Sequence, residues 1–363
     1  MSPAPSQAPA SDLAAEPSAA SASGGPALTK VRLQLQWYPQ AQFAGYFAAI
    51  EQGYYAAENL EVAWLPGGGA IAPQSVGSQP DGPEFTIAWQ PKVLVARSAD
   101  GSQLVNIAQV FQRSGTLTLS WKDSKITKPT DFAGKKVGLW GLGNELEVVA
   151  GLKKSGLEPG TDYTPVSQDF DMALLLSRQV DVAESMIYDG YAQILETTDP
   201  GSGQLFQPTD LDAINWNDEG SAMLQDAVFA RSGWLAQPGN QDVATRFLRA
   251  SFEGWIYCRD NPGDCIQFTL KAGARLGAGH QAWMLNEVNA LIWPSPGGIG
   301  ILDQSAYRHT VETVIAAGMI SADPGPDATR TDLAQAALAG ITDADTKGAS
   351  FVKSTIDLTP TGN

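Results

Sequence analysis

The chain has 363 residues, 43% of them hydrophobic and 17% charged, a balance that supports buried cores and argues against general disorder. A net charge of −16 with no basic cluster to interrupt it repels polyanions, so nucleic acid is not an expected partner. No apolar run long enough for a membrane span and no signal-peptide core is visible, so the chain itself is expected neither to span nor to cross a membrane.

Residues 1–29 are Ala, Ser, Pro and Gly with little to bury, the composition of a flexible tether. The fold is expected to begin near Lys30. VRLQLQW (31–37) alternates as a strand, FAGYFAAIEQGYYAAEN (43–59) carries helical spacing, and LEVAWLP (60–66) reads as a second strand closed by Gly67, Gly68 and Gly69. FTIAWQP (85–91), KVLVARSAD and QLVNIAQVF (103–111) repeat this strand, helix, strand order. Such alternation predicts mostly parallel sheets flanked by helices.

A second unit follows Gly115. TLTLSWKDS is strand-like, KPTDFAGKKVGLW leads into another strand, and Asn144 with Glu147 has the spacing of a capping box opening a helix. MALLLSRQVDVAESMIYDGYAQIL reads as helix, strand, helix, and AVFARSGWLAQ with DVATRFLRASFEGWIYCRD as a return to the first unit. The expected organisation is a first lobe at 30–115 and 223–345, a second at 116–222, and a tail at 346–363. Two crossings between lobes create a cleft.

Cys258 and Cys265 are separated by six turn-prone residues and are read as a disulfide, with two reduced, inert thiols as the alternative. His280 and His309 have no paired ligand spacing, so no metal site is expected. Nor does a catalytic constellation stand out. GLWGLGNE lacks the last glycine of a dinucleotide fingerprint, and LPGGGA lacks the Lys-Ser/Thr of a phosphate loop.

LQLQWYPQAQFAGYFAAIEQGYYAAENLEVAWLPGGG, FTIAWQPKVLVARSADGSQLVNIAQVFQRSG, ITKPTDFAGKKVGL and LLLSRQVDVAESMIYDGYAQIL resemble, in order, the landmarks of periplasmic substrate-binding proteins of ABC importers. The similar branch holds binders of nitrate, sulfonates and the thiamine pyrimidine precursor. The resemblance implies an α/β bilobal fold of the type II periplasmic-binding-protein kind, closing on a small molecule that passes to a permease. It also implies an extracytoplasmic location, a lipid anchor on a precursor and a monomer.

The resemblance implies that the loops after the first strand, after Trp64, around Trp89, around Trp121, after Leu139 and around Tyr188 face the cleft. Trp37 and Tyr38 end a strand before Pro39, with the Trp37 ring open to either cleft or core. Gln42 offers an acceptor and donors to a heterocycle edge. Tyr46 is placed with the site, though a helical aromatic also suits a core. Trp89 and Gln90 repeat the aromatic, amide, proline pattern of Trp37; Trp121 lies near a crossing, where hinge packing is the alternative. Trp140 stands between glycines, Asn144 opens a helix, and Tyr188 precedes Asp189, where thiamine-precursor binders show an aromatic followed closely by an acid.

So many rings in an acidic protein favour a flat heterocycle over an anion. QWYPQAQFAGY, with AWQPK and NIAQVFQRSG, is most similar to the riboflavin-binding branch. Riboflavin is thus the expected transported ligand, with no cofactor required. The thiamine pyrimidine precursor and a sulfonate are the alternatives, followed by a pyrimidine-synthesis enzyme of the same fold and a ligand-sensing domain.

Overall fold

The computed structural model describes residues 28–363, so most of the expected tether lies outside the described residues. Among the described residues, ten strands form two five-stranded sheets. The first contains β1 (Thr29–Gln34), β2 (Leu60–Leu65), β3 (Phe85–Trp89), β4 (Leu104–Gln109) and β10 (Asp226–Arg231), in the order β2-β1-β3-β10-β4. The second contains β5 (Thr116–Trp121), β6 (Lys136–Leu139), β7 (Thr164–Ser167), β8 (Val182–Met186) and β9 (Leu211–Asn215), in the order β7-β6-β8-β5-β9.

Four strands of each sheet run one way, and one is reversed: β10 pairs antiparallel with β3 and β4, and β5 with β8 and β9. The sheets are therefore mixed. The two reversed strands are the ones that follow the two crossings. A parallel strand delivers the chain to the cleft at its carboxyl end; the first strand after the crossing starts at the cleft and runs away from it.

The second sheet contains two strands that pattern alone did not reveal. β7 carries Pro165 and is largely exposed, and β9 closes the opposite edge. Edge strands need no continuous apolar run, and proline is tolerated there because one side of the strand is unpaired.

In the first lobe the core gathers around the helix Asn240–Asp260, whose Phe247 stacks on Phe85 with ring centres 3.8 Å apart. This helix crosses Ala44–Glu51 so closely that a Cβ at Gly254 would lie 2.0 Å from the Gly45 carbonyl oxygen. Only glycine permits that approach. The second lobe packs one face of its sheet with Phe132, Val148 and Trp216, and the other with Leu119, Leu175 and Ile194.

Cys258 and Cys265 form a disulfide with Cα atoms 5.5 Å apart. They lie on consecutive helices, Asn240–Asp260 and Pro262–Lys271, broken at Asn261, rather than on a turn.

Both crossings meet at Glu147, whose buried carboxylate accepts from the Ser114 hydroxyl at 2.7 Å and the Met223 amide at 3.1 Å. Burial pushes this carboxyl up to about 8, against those two donors. Gln225 adds bonds to the Gly115 amide and the Thr116 hydroxyl. The tail makes a third passage, from Phe351 on the first-lobe core to Leu358 on the second-lobe core.

Candidate functional site

The first-lobe wall of the cleft is built where β1 and β3 end. Pro39 stops strand pairing after Trp37 and Tyr38, and the chain turns through Gln40 into a short helical turn at 41–43. Gln40 donates to the Gln42 side-chain oxygen at 2.8 Å, and Gln42 donates to Asp226 Oδ2 at 2.9 Å. Asp226 opens β10 directly opposite Trp89, whose indole N–H donates to Asp226 Oδ1 at 2.7 Å. Burial raises the Asp226 carboxyl to about 7, while the Gln42 and Trp89 donors and the Lys92 charge pull the other way.

The second-lobe wall comes from the carboxyl ends of β6, β7 and β8. Trp140 is fixed twice: its amide donates to Glu184 Oε2 at 2.9 Å and its indole to the Asp169 carbonyl at 2.8 Å. Phe170 follows β7. Met186, Tyr188 and Asp189 follow the line of β8, and Tyr188 is buried with its ring 6.3 Å from Phe111.

The walls meet. Trp37 and Trp140 approach to 6.3 Å between ring centres at a 57° tilt, and Tyr38 stands edge-on to Phe170 at 5.6 Å. The Arg275 guanidinium lies 3.5 Å from the Tyr38 ring centre, sealing this edge with a cation–π contact. A Cβ at Gly68, which has φ of 84°, would lie 2.8 Å from the Tyr38 ring, so the glycine-rich turn after β2 is the seat of that ring.

Deeper, Gln36 and Lys92 of the first lobe donate to Asn144 Oδ1 of the second, at 2.9 and 3.0 Å. Burial lowers the Lys92 ammonium to about 7 despite the acids Glu145, Asp226 and Glu184 nearby. The space between the walls is only about 20 Å³, room for about one water. A hollow of about 590 Å³ adjoins it outside Trp37, Trp140 and Phe170. Sites for molecules of vitamin size span some 300–1,000 Å³, far more than the space between the walls.

Of the residues singled out from sequence, Trp37, Gln42, Trp89, Trp140, Asn144, Tyr188 and Asp189 line this space, and Tyr38 guards its edge. Three lie elsewhere. Tyr46 packs edge-on against Trp255 in the first-lobe core, because the helix turns it away from the cleft. The Gln90 side chain accepts from Asn106 at 2.7 Å inside the first lobe. Trp121 ends the reversed strand β5 and so lies at the lobe's far end, where it packs on Phe206 and donates to the Leu175 carbonyl.

The expected capping box is also absent. The helix starts at Leu146 after Glu145, with no side-chain cap; Asn144 reaches across the cleft and Glu147 to the crossings.

Sequence reasoning missed Gln36, Gln40, Phe170 and Met186 in the lining, and Lys92 and Asp226 behind it. Gln36 and Gln40 sit within the aromatic stretch already singled out, so their position was the available signal. Asp226 becomes visible only through its pairing with Trp89.

Residues 40–265 match the family described as NMT1/THI5 like. The chain is 26% identical over 321 residues to the riboflavin-binding protein RibY of Chloroflexus aurantiacus, covering 85% of this chain and 87% of that one. It is 24% identical over 253 residues to the formylaminopyrimidine-binding protein of Halalkalibacterium halodurans, covering 69% and 72%. Among solved structures, the periplasmic aliphatic sulphonate binding protein SsuA from Escherichia coli shares the fold, with a TM-score of 0.59 at 15% identity over 81% of this chain and 89% of that one. The desulfurization enzyme DSZB does too, with a TM-score of 0.53 at 14% identity over 85% and 99%. The bilobal architecture thus carries both binding proteins and an enzyme, and with its match over residues 40–265 this chain belongs to the NMT1/THI5-like family.

Proposed function

We propose that the protein is an extracytoplasmic solute-binding protein that captures riboflavin, or a closely similar flat heterocycle, and delivers it to an ABC permease. The observation that carries this reading is the convergence of rings from both lobes on one cleft edged with amides: Trp37 and Trp89 from one wall, Trp140 and Tyr188 from the other, with Gln36, Gln42 and Asn144 between. Parted lobes offer ring faces to an isoalloxazine, and each stacked pair adds about 0.5–1.5 kcal/mol beyond burial. In this reading the amides and Asp189 bind the imide and ribityl groups.

The RibY relative supports the ligand, and both named relatives are binding proteins. His280 is fully buried between two carboxylates and both cysteines are bridged, which favours binding over catalysis by these three residues. We further propose that the chain acts as a monomer and that a lipid anchor on its precursor holds it at the outer face of the membrane. A pyrimidine precursor is the second reading, favoured by the formylaminopyrimidine-binding relative.

The test is a fluorescence titration following flavin and tryptophan quenching, with riboflavin, formylaminopyrimidine and an alkanesulfonate in parallel. Saturable one-to-one quenching by riboflavin is expected. A response to the pyrimidine alone moves the ligand to the second reading, and silence with all three overturns both.

A further inference from the structure

The helix Ala278–Ile292 belongs to the first lobe, where Met284, Leu285, Val288 and Ile292 enter the core. Its other side meets the second lobe just behind the cleft. Trp283 donates its indole N–H to the Ile187 carbonyl at 2.9 Å and packs near Tyr191. One turn earlier, the fully buried His280 places Nδ1 2.8 Å from Glu196 Oε2, and its Nε2 faces Asp189 Oδ1 at 3.4 Å. Asp189 is itself part of the cleft lining.

A neutral imidazole carries one N–H, so one ring nitrogen would turn a lone pair toward a carboxylate; only the imidazolium presents an N–H to each, hydrogen-bonded at Glu196 and in an ion-pair contact without a hydrogen bond at Asp189. The tail closes the seam. Gly362 packs against His280 and Glu196 so tightly that a Cβ there would come within 2.7 Å of His280 Cβ and 2.9 Å of Glu196 Oε2, and the Thr361 amide donates to the Glu196 carbonyl.

We propose that His280 is a positioning residue for the cleft: as an imidazolium carried by the first lobe it holds the Asp189 and Glu196 carboxylates of the second, so closure takes up a proton. This rests on the solute-binding reading above. The charged groups facing the ring are those two carboxylates, from the 189–196 segment; Gln193, which donates to Asp189 at 2.7 Å, is neutral. The 41–43 turn, the helix Pro262–Lys271 and the 360–362 turn, also packed on this helix, add no charged side chain at the ring.

Burial alone would lower the ring's pKa, but the two carboxylates override it and raise it to about 9. When the lobes part the ring loses both partners and returns toward the ordinary value of about 6.5. Because the closed-state value is the higher one, the latch is complete below about 6.5 and lost as pH rises through about 9. Within that window each added pH unit weakens closure by up to about tenfold.

The experiment compares the full chain with His280→Gln and Glu196→Gln, folding checked by circular dichroism, at pH 6.5 and 8.5. Small-angle scattering without ligand is expected to show the native chain more compact at pH 6.5, and a smaller pH response in both variants, in which Lys92, Asp226 and Glu147 still titrate. Riboflavin Kd should rise by about tenfold or more between these pH values in the native chain and by less than about threefold in either variant. Equal native radii at the two pH values, or variants that keep the native pH response, overturn the latch. Absence of riboflavin binding at both pH values overturns the ligand reading instead, and scattering alone then decides the latch.

Discussion

The two walls of the cleft are built on different principles. The first-lobe wall is a relay of side-chain hydrogen bonds, running from Gln40 through Gln42 to Asp226 and back to Trp89. The second-lobe wall is mainly faces: Trp140, Phe170, Met186 and Tyr188 line it, and Trp140 is held by its own amide and indole N–H. A relay is rigid because each member satisfies the next, and it fails as a unit when one is lost. A wall of faces yields locally. The first wall therefore sets where a ligand's edge must lie, and the second clamps whatever flat surface arrives.

That contrast is easiest to break at Asp226. Asp226→Ala leaves the Gln42 amide and the Trp89 indole N–H without their acceptor, and each buried donor left unpaired costs about 1–3 kcal/mol. Urea denaturation should show a loss of about 2–6 kcal/mol together with weaker riboflavin binding; unchanged stability would mean the first wall is no relay.

Next in size is a change remote from both walls. Replacing Cys258 and Cys265 by serine removes a short loop closure worth roughly 2.5 kcal/mol, and riboflavin Kd should stay within about twofold because the bridge joins two helices away from the lining. Thiol titration of the unreduced, denatured chain should find no free thiol.

A smaller effect than at Asp226 belongs to the ring faces of the second wall. Trp140→Ala should weaken riboflavin binding by about 1 kcal/mol or more, roughly fivefold, by removing one stacking face. Trp121→Ala, in the same lobe but distant from the cleft, should leave Kd unchanged while destabilising the fold by about 3–5 kcal/mol. Equal Kd values for the two variants would remove the clamp.

Trp89 and Trp121 also mark how far pattern reading reaches. Each ends a fully buried strand, and their local sequences look alike. β3 runs toward the cleft and β5 away from it, so one ring lines the site and the other packs the far end. Strand existence is written in the run of apolar residues; strand direction depends on which strand it pairs with, which is nonlocal information. The alternating strands and helices, the two lobes' sheets and most lining rings were legible because they follow periodicity and strand ends.

Asn144 was misread as a helix cap because its partners, Gln36 and Lys92, are 108 and 52 residues away. Lys92, inside KVLVARSAD, carries no local sign of its burial. Its burial at the foot of the cleft supplies a positive charge that composition had argued against, although burial lowers its pKa to about 7 and with it its hold on that charge.

The tail's passage from Phe351 on one lobe to Leu358 on the other makes the protein a convenient optical gauge. Asp357 is exposed beside Leu358, Gln52 is exposed on the first lobe, and both native cysteines are already paired. Cysteines introduced at these two positions would carry a donor and an acceptor dye on opposite lobes, clear of the ligand, so energy transfer between them would register each opening and closing as a change of colour.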